Sequence, residues 1–444
     1  MRSATNPDER DGVASSTPAP QLFMVLRCDD LRVAPARHAL TAVDEVRFGR
    51  GEQYAAERRI DGQVRRLDVS VPDGSMSRVH AQLRRTPEGW RLNDSGSSSG
   101  LRLDGARVQT ALLRDGAFFE LGQTIFRLRT SLPTPSAAAS DLTADQLENR
   151  PPILRTLLPE LGLAFERLVR AARSSQPIQL IVDSGRECFA RAAHQFSGRS
   201  GAFVVLRCGS VSAALAESTL YGHVAGAFPG ASQDEPGLLR AAEGGTLFLD
   251  EPGSAPAQLQ AALARALQAR EVRPVGATRA IPLDVRIVSA SSALLPSEHG
   301  YSFRTVPLNE RIEDLGLLTT LLAPELEKTS GAPVTLQPDA VRRLFTHRWS
   351  GDLRELRRAL VNAAALADSH RIELQHLVSA LGTRSRGPAA ESGGDVGQTL
   401  EHQLLDLFRE HQGNVSQVAR AMGKARVQVQ RWMKRYSIDA TKFR

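Results

Sequence analysis

At 444 residues the chain is too long for one hydrophobic core, and at about 100–200 residues per domain it reads as two to four domains, with three the working number. Its 41% hydrophobic and 24% charged residues exclude a disordered or fibrous chain, and no stretch approaches the roughly 20 apolar residues of a membrane span. The formal charge of +7 permits a polyanionic partner, and residues 401–444 hold nine Lys/Arg against four Asp/Glu, so nucleic acid is to be sought at that end.

Residues 1–20 are polar and aperiodic and read as a disordered leader, and their acidic residues do not fit a secretory signal. Residues 21–131 change to short β-like runs (LFMVLRC, RRLDVSV, WRLND, TIFRLR) separated by Gly/Ser/Asp turns, the pattern of an all-β sandwich. Residues 132–152, rich in Pro, Ala and Ser, read as a linker. From 153 to 305 a helical run is followed by strands (PIQLIV, FVVLRC, GTLFLD, DVRIVSAS) alternating with helices, as in a parallel sheet wrapped by helices. Residues 306–382 are mostly helical, 383–397 form a second linker, and 398–444 form a small all-α domain. The fold class is therefore multidomain: β sandwich, α/β core with helical lid, then a helical module. Cys28, Cys188 and Cys208 have neither metal spacing nor a disulfide framework, which fits a reducing, cytoplasmic location; no metal site is expected.

Within the sandwich, FGR at 48–50, SRVH at 77–80, SSSG at 97–100, DG at 115–116 and LG at 121–122 follow the order and spacing of a phosphothreonine reader, and the region resembles a forkhead-associated (FHA) domain. A phosphate dianion calls for charge-assisted donors and hydroxyls converging from loops on a rigid sheet. The resemblance assigns phosphopeptide contacts to Arg50, Ser77, Arg78 and Ser98, with His80 bracing the loop from behind. Ser99 stands where the family has an Asn that holds the peptide backbone. Turn-forming Gly49 and Gly100 and loop-capping serines are the plain structural alternative.

The central region resembles the AAA+ core of sigma-54-dependent activators through FARAAHQFS at 189–197, YGH at 221–223, GAFPGA at 226–231, GGTLFLDE at 244–251 and WSGDLREL at 349–356. The resemblance implies ATP and Mg²⁺, with a Gly-rich loop cradling the phosphates. Here only Asp183, Ser184 and Gly185 separate the first strand from its helix, no GxxxxGK[ST] remains, and Arg186 falls at the position of the lysine. Asp183, at a helix start, is expected to act as an N-cap that repels phosphate. Asp250 and Glu251 match the Mg²⁺-binding and water-orienting carboxylates, Ser292 replaces a sensor Asn, and Arg354 matches the second sensor Arg. The stretch before 306–311 (VPLNER), which would carry arginine fingers, is shortened. Gly226, Ala227, Phe228, Pro229, Gly230 and Ala231 match the sigma-54 contact loop, with Pro229 in place of a Thr, which stiffens it. The core reads as a pseudo-ATPase with no catalytic residue and no cofactor.

The C-terminal segment resembles a Fis-type helix-turn-helix. Leu404, Leu405, Leu407 and Phe408 form one apolar face, Gly413 and Asn414 end one helix and cap the next, and Gly423 supplies the turn. The following helix shows Arg426, Gln428, Gln430, Arg431, Lys434 and Arg435, a basic, amide-bearing set suited to the major groove. The reading is a sequence-specific DNA-binding regulator with a phosphothreonine-sensing input. Its partners are double-stranded DNA, a phosphothreonine protein, sigma-54 RNA polymerase, and further copies or relatives in a homo- or hetero-oligomer. Alternatives are an active ATP-dependent activator, a phosphoprotein-binding adaptor, and an inactive subunit of a ring.

Overall fold

The computed structural model describes residues 16–293, 300–367 and 369–381, together with 407–408, 411, 413–421, 433, 438 and 443. The chain divides into two compact units, Met1–Thr383 and Arg384–Arg444.

The first unit begins with two packed sheets. The seven-stranded sheet runs Asp141–Thr143, Ala36–Ala39, Ser16–Arg27, Thr124–Pro135, Phe118–Leu121, Leu101–Leu103, Ala106–Val108. The six-stranded one runs Thr110–Leu113, Gly89–Asp94, Ala81–Thr86, Glu45–Arg50, Val64–Val71, Ala55–Asp61. Val64–Val71 shows why these are strands: Leu67, Val69 and Val71 alternate with less buried neighbours, so one face enters the core. There the rings of Phe48 and Phe126 meet edge to face at 5.0 Å, and Phe119 stacks on Phe126 at 5.4 Å.

Both edges of the expected sandwich need correction. Ser16–Ala19, expected to belong to a disordered leader, pair with 132–135, expected to be linker, in one antiparallel ladder. Asp141–Thr143 adds an edge strand against Ala36–Ala39, and Ala144–Leu147 forms a 3-10 turn. Composition pointed to a linker because Pro133 and Pro135 cannot donate to a ladder, yet they sit at its far end, where few amides are needed.

Ile178–Ile181, Phe203–Arg207, Thr246–Asp250, Arg286–Ser291 and Tyr301–Arg304 form a parallel sheet in the order 2-3-4-1-5 of their chain sequence. Helices Pro159–Ala172, Arg186–Phe196 and Ala257–Ala269 flank it. Covered on both faces, its strands read as unbroken apolar runs: all four residues of Ile178–Ile181 are buried. The lid comprises helices Leu315–Ser330, Pro338–Thr346, Asp352–Leu366 and Leu374–Leu381, centred on buried Trp349, whose Nε1 donates to Leu344 O at 3.0 Å.

The sandwich and the lid share one interior. Leu26, Cys28, Leu31 and Ile125 pack in the same cluster as Leu308, Leu315, Val341 and Trp349. Phe118 stacks on Phe345 at 4.3 Å, and the Leu336 amide donates to Cys28 O at 2.8 Å. Buried Glu313 of the lid segment accepts from Arg129 at 2.6 Å and lies 3.1 Å from the Arg127 guanidinium.

In the second unit, helix Val415–Ala421 follows Gly413, whose φ is +75°. Asn414 Oδ1 accepts from the amides of Ser416 and Gln417 at 3.1 and 3.3 Å, the expected side-chain cap. Phe408, Val418, Ala419 and Ile438 are buried together. Leu404, Leu405, Gly423 and the basic set Arg426, Gln428, Gln430, Arg431, Lys434 and Arg435 lie outside the described residues.

Candidate functional site

Two sites take shape in the first unit. At one end of the sandwich the loops after strands Glu45–Arg50, Val64–Val71 and Gly89–Asp94 are bonded into one surface. The Arg50 amide donates to Ser77 O at 3.0 Å, and a Cβ on Gly49 would lie 2.1 Å from Arg78 O, so the two loops approach this closely only because residue 49 is glycine. Ser98 N donates to Ser77 Oγ at 3.1 Å, and the two hydroxyl oxygens are 3.3 Å apart. Fully buried His80 holds the surface from behind: its Nδ1 accepts from Ser77 N at 3.1 Å, so the neutral ring carries its proton on Nε2 and donates to Gly100 O at 3.2 Å. Arg50 and Arg78 are exposed, and neither guanidinium has an ionic partner among the described residues. Ser99 Oγ donates to Ser75 O at 2.8 Å and so fastens one loop to another. Arg50, Ser77, Arg78 and Ser98 thus belong to one small surface that offers hydroxyls and free positive charge.

The second site lies at the C-terminal ends of the parallel strands, where open α/β sheets place their ligands. Arg186 opens its helix and turns back: its Nε donates to Val182 O at 3.1 Å, one terminal nitrogen bonds Glu251, and the other lies 3.6 Å from Asp250 Oδ1. A guanidinium spans two carboxylates in a way an ammonium cannot. Glu251 adopts a left-handed backbone, φ +52°, which sets its side chain at the strand end. Ser184 is buried, and its hydroxyl donates to Asp352 of the lid; the other Asp352 oxygen accepts from Leu308 N at 2.8 Å. The N-cap expected of Asp183 is not there. Asp183 is exposed, and the N-cap residue is Gly185 at φ +73° with no side-chain cap. Asp183 stands two residues too early to cap the helix, and left-handed Gly185 makes the turn directly before it.

Ser292 is exposed at the end of the Arg286–Ser291 strand. Arg354 is exposed and does not pair with its neighbour Glu355, which bonds His347 Nε2 at 3.2 Å and the Gly351 amide at 2.8 Å. The loop 226–231 closes on itself, Gly226 N to Ala231 O at 2.8 Å, with Phe228 4.8 Å from the His223 ring and Pro229 exposed. Burial, with the Asp250 carboxylate nearby, pushes the Cys208 thiol up to about 11. Among the described residues no group of three His, Cys, Asp or Glu could hold a metal, and no helix is long and apolar enough to cross a membrane. Sequence reasoning missed two links at the nucleotide position, Arg186 to the carboxylates and Ser184 to Asp352; the arginine in place of lysine was the one signal available for the first.

A five-stranded parallel sheet with a helical lid and acidic residues at the end of its third strand defines the class: an AAA+ module joined to a β sandwich. Residues 160–312 match the family described as Sigma-54 interaction domain, and 309–394 that described as AAA+ ATPase lid domain. Residues 55–131 match a family described as Inner membrane component of T3SS, cytoplasmic domain. The chain is 34% identical over 331 residues to the transcriptional regulatory protein GlrR of Escherichia coli (strain K12), covering 71% of this chain and 73% of that protein. It is 32% identical over 365 residues to the hydrogenase transcriptional regulatory protein HoxA of Cupriavidus necator, covering 75% and 76%. Among solved structures it is similar to NtrX from Brucella abortus in complex with ATP, with 23% identity and TM-score 0.45 over 66% of this chain and 71% of that one. An FHA domain studied for phosphothreonine-dependent interactions is similar over 25% of this chain and 96% of its own length, with 23% identity and TM-score 0.18. The chain belongs to the sigma-54-dependent transcriptional regulators.

Proposed function

We propose that the protein is a DNA-binding regulator in which the sandwich binds a phosphothreonine protein and the AAA+ module acts as an interaction platform rather than a motor. The observation that carries this reading is Arg186, paired with Glu251 and 3.6 Å from Asp250 at the position where a triphosphate and Mg²⁺ would sit. A nucleotide needs backbone donors around its phosphates and free carboxylates for the metal. The three-residue turn 183–185 has little backbone to offer, its serine is engaged by Asp352, and the carboxylates already have a cation. The residues present do not fit the nucleotide, and no catalytic step is assigned to them.

On the input side, the support is the single surface formed by Ser77, Ser98 and the loops of Arg50 and Arg78, both arginines without an ionic partner among the described residues. On the output side, it is family membership together with the basic C-terminal segment, which point to DNA in a cytoplasmic setting and to sigma-54 polymerase as the wider partner.

The deciding measurement is ATP binding and hydrolysis by the purified full chain. No hydrolysis is expected, and Glu251→Gln changes nothing enzymatic; hydrolysis that this substitution abolishes sinks the platform reading in favour of an active ATPase. In parallel, the chain should bind a phosphothreonine peptide better than its phosphoserine or unmodified form, and Arg50→Ala should remove that binding. A diverse phosphothreonine library without a binder leaves the sandwich as a structural module only.

A further inference from the structure

A cleft of about 440 Å³ opens beside the phosphate-facing surface, and its two walls belong to different domains. Ser75, Ser99 and Arg102 line it on the sandwich side, and Gln337, Asp339 and Arg342 on the lid side. Ser99 directly follows Ser98, and Ser75 lies two residues before Ser77, so the cleft continues the surface described above rather than forming a separate pocket.

Its walls are fastened together. Arg342 bonds Glu120 at 2.5 Å across the junction, and a Cβ on Gly105 would lie 3.1 Å from the Arg342 guanidinium. Beneath it, fully buried Asp73 accepts from Ser75 N at 2.8 Å, Gln123 N at 2.7 Å and Thr124 Oγ at 2.8 Å. Gln123 O accepts from Cys28 N at 2.8 Å, and Cys28 O in turn accepts from Leu336 N at 2.8 Å, one residue before Gln337. A continuous series of hydrogen bonds therefore runs from the phosphate loop to the lid and sets the width of the cleft.

The lining is polar and its charges largely cancel. Glu120 is neutralised by Arg342, and Asp339 accepts from its own Ala340 amide at 2.7 Å. Arg102 donates to Gly105 O at 3.1 Å and has no carboxylate partner among the described residues. Such a wall presents donors and acceptors of both kinds, which suits an extended backbone with alternating N–H and C=O groups more than a single charged group. Because Ser75 and Ser99, beside the anchor at Ser77 and Ser98, line the cleft, an extended peptide held at that anchor runs into it.

Building on the phosphothreonine reading above, we infer that the bound partner is held by both domains. The phosphate sits on the sandwich loops, and the extended segment on one side of the phosphothreonine lies between Arg102 and Gln337. The lid of the AAA+ module is then part of the peptide-binding site, and binding ties sandwich and lid together.

The test uses the full chain and fluorescence-labelled phosphothreonine peptides: a tripeptide, and two longer peptides extended by five residues on either the amino or the carboxy side. One extended peptide should bind about tenfold more tightly than the tripeptide, the equivalent of about one or two net hydrogen bonds, and the other should gain little. Gln337→Ala and, separately, Arg102→Ala should each remove most of that difference; Gln337 caps its helix with backbone only, so the first variant keeps the fold, checked by its melting temperature. Equal affinity for all three peptides overturns the shared site while leaving the phosphothreonine reading intact. A gain that survives both substitutions does the same. If no phosphopeptide binds, the phosphothreonine reading fails, and the composite site falls with it.

Discussion

At the scale of single residues, the junction of sandwich, lid and linker is controlled by two adjacent acids with different solutions to burial. Glu313 faces the guanidinium groups of Arg127 and Arg129, both from the sandwich, at 3.1 and 2.6 Å. Asp314 has no such ion pair among the described residues; it accepts from Thr156 Oγ at 2.6 Å and from Leu157 N at 2.8 Å. Complete burial pushes its carboxyl up from 3.8 to about 6, opposed by Arg311 and these two hydrogen bonds and reinforced by the Glu313 charge. A raised acid pKa means that the folded chain binds the proton more tightly than the unfolded one. The stabilisation from this group is thus complete below about 4 and lost as pH rises through about 6. Asp314→Asn removes the titration, so the melting temperature of the wild type should gain on that of the variant as pH falls from 7.5 to 5. A constant gap across that range contradicts the assignment. Neither acid stood out in the sequence, because a run of ERIED reads as a solvated surface until its burial is known. That the loops of Arg50, Ser77, Arg78 and Ser98 share one surface was legible in the sequence, because short motifs on loops carry a pattern that does not depend on distant packing.

At the scale of elements, the strand Ser16–Arg27 explains how the domains join. Its run LFMVL is continuously apolar where a sandwich strand with one wet face alternates, because one face enters the sandwich and the other meets the core helices and lid. That run was read as a strand; the second buried face was not. Helix Leu315–Ser330 packs so closely on this strand that a Cβ on Gly316 would lie 1.5 Å from Val25 O. Gly316→Ala should therefore destabilise the sandwich–lid junction by about 3 kcal/mol, the upper part of the usual overpacking range. The measurement is chemical unfolding, with proteolysis reporting whether the junction opens first. An alanine tolerated without loss of stability contradicts this contact. The prolines at 133 and 135 point to a linker over 132–152, but propensity describes a local preference, and the ladder of 132–135 with Ser16–Ala19 is a long-range pairing.

At the scale of the molecule, sandwich and AAA+ module form one unit and the C-terminal segment another. If the latter binds DNA as proposed, affinity of the full chain must fall steeply with salt through counterion release. Lys434→Ala should weaken all sequences alike and flatten that dependence, while Arg431→Ala should cost about 1–3 kcal/mol at one base position. Electrophoretic mobility shifts across a salt series on genomic fragments provide the check, and salt-independent or absent binding removes the DNA-binding proposal. By itself the sequence determined the order of modules, the parallel sheet, the family and the loss of the Gly-rich loop, because each is written in local periodicity or in contiguous motifs. Only the tertiary structure decided that Arg186 occupies the carboxylates, that Ser184 is tied to Asp352, and that sandwich and lid share a core and a cleft. Those contacts join residues more than 60 positions apart, whose proximity no local pattern encodes; it emerges when apolar faces left uncovered by their own domains are buried against each other.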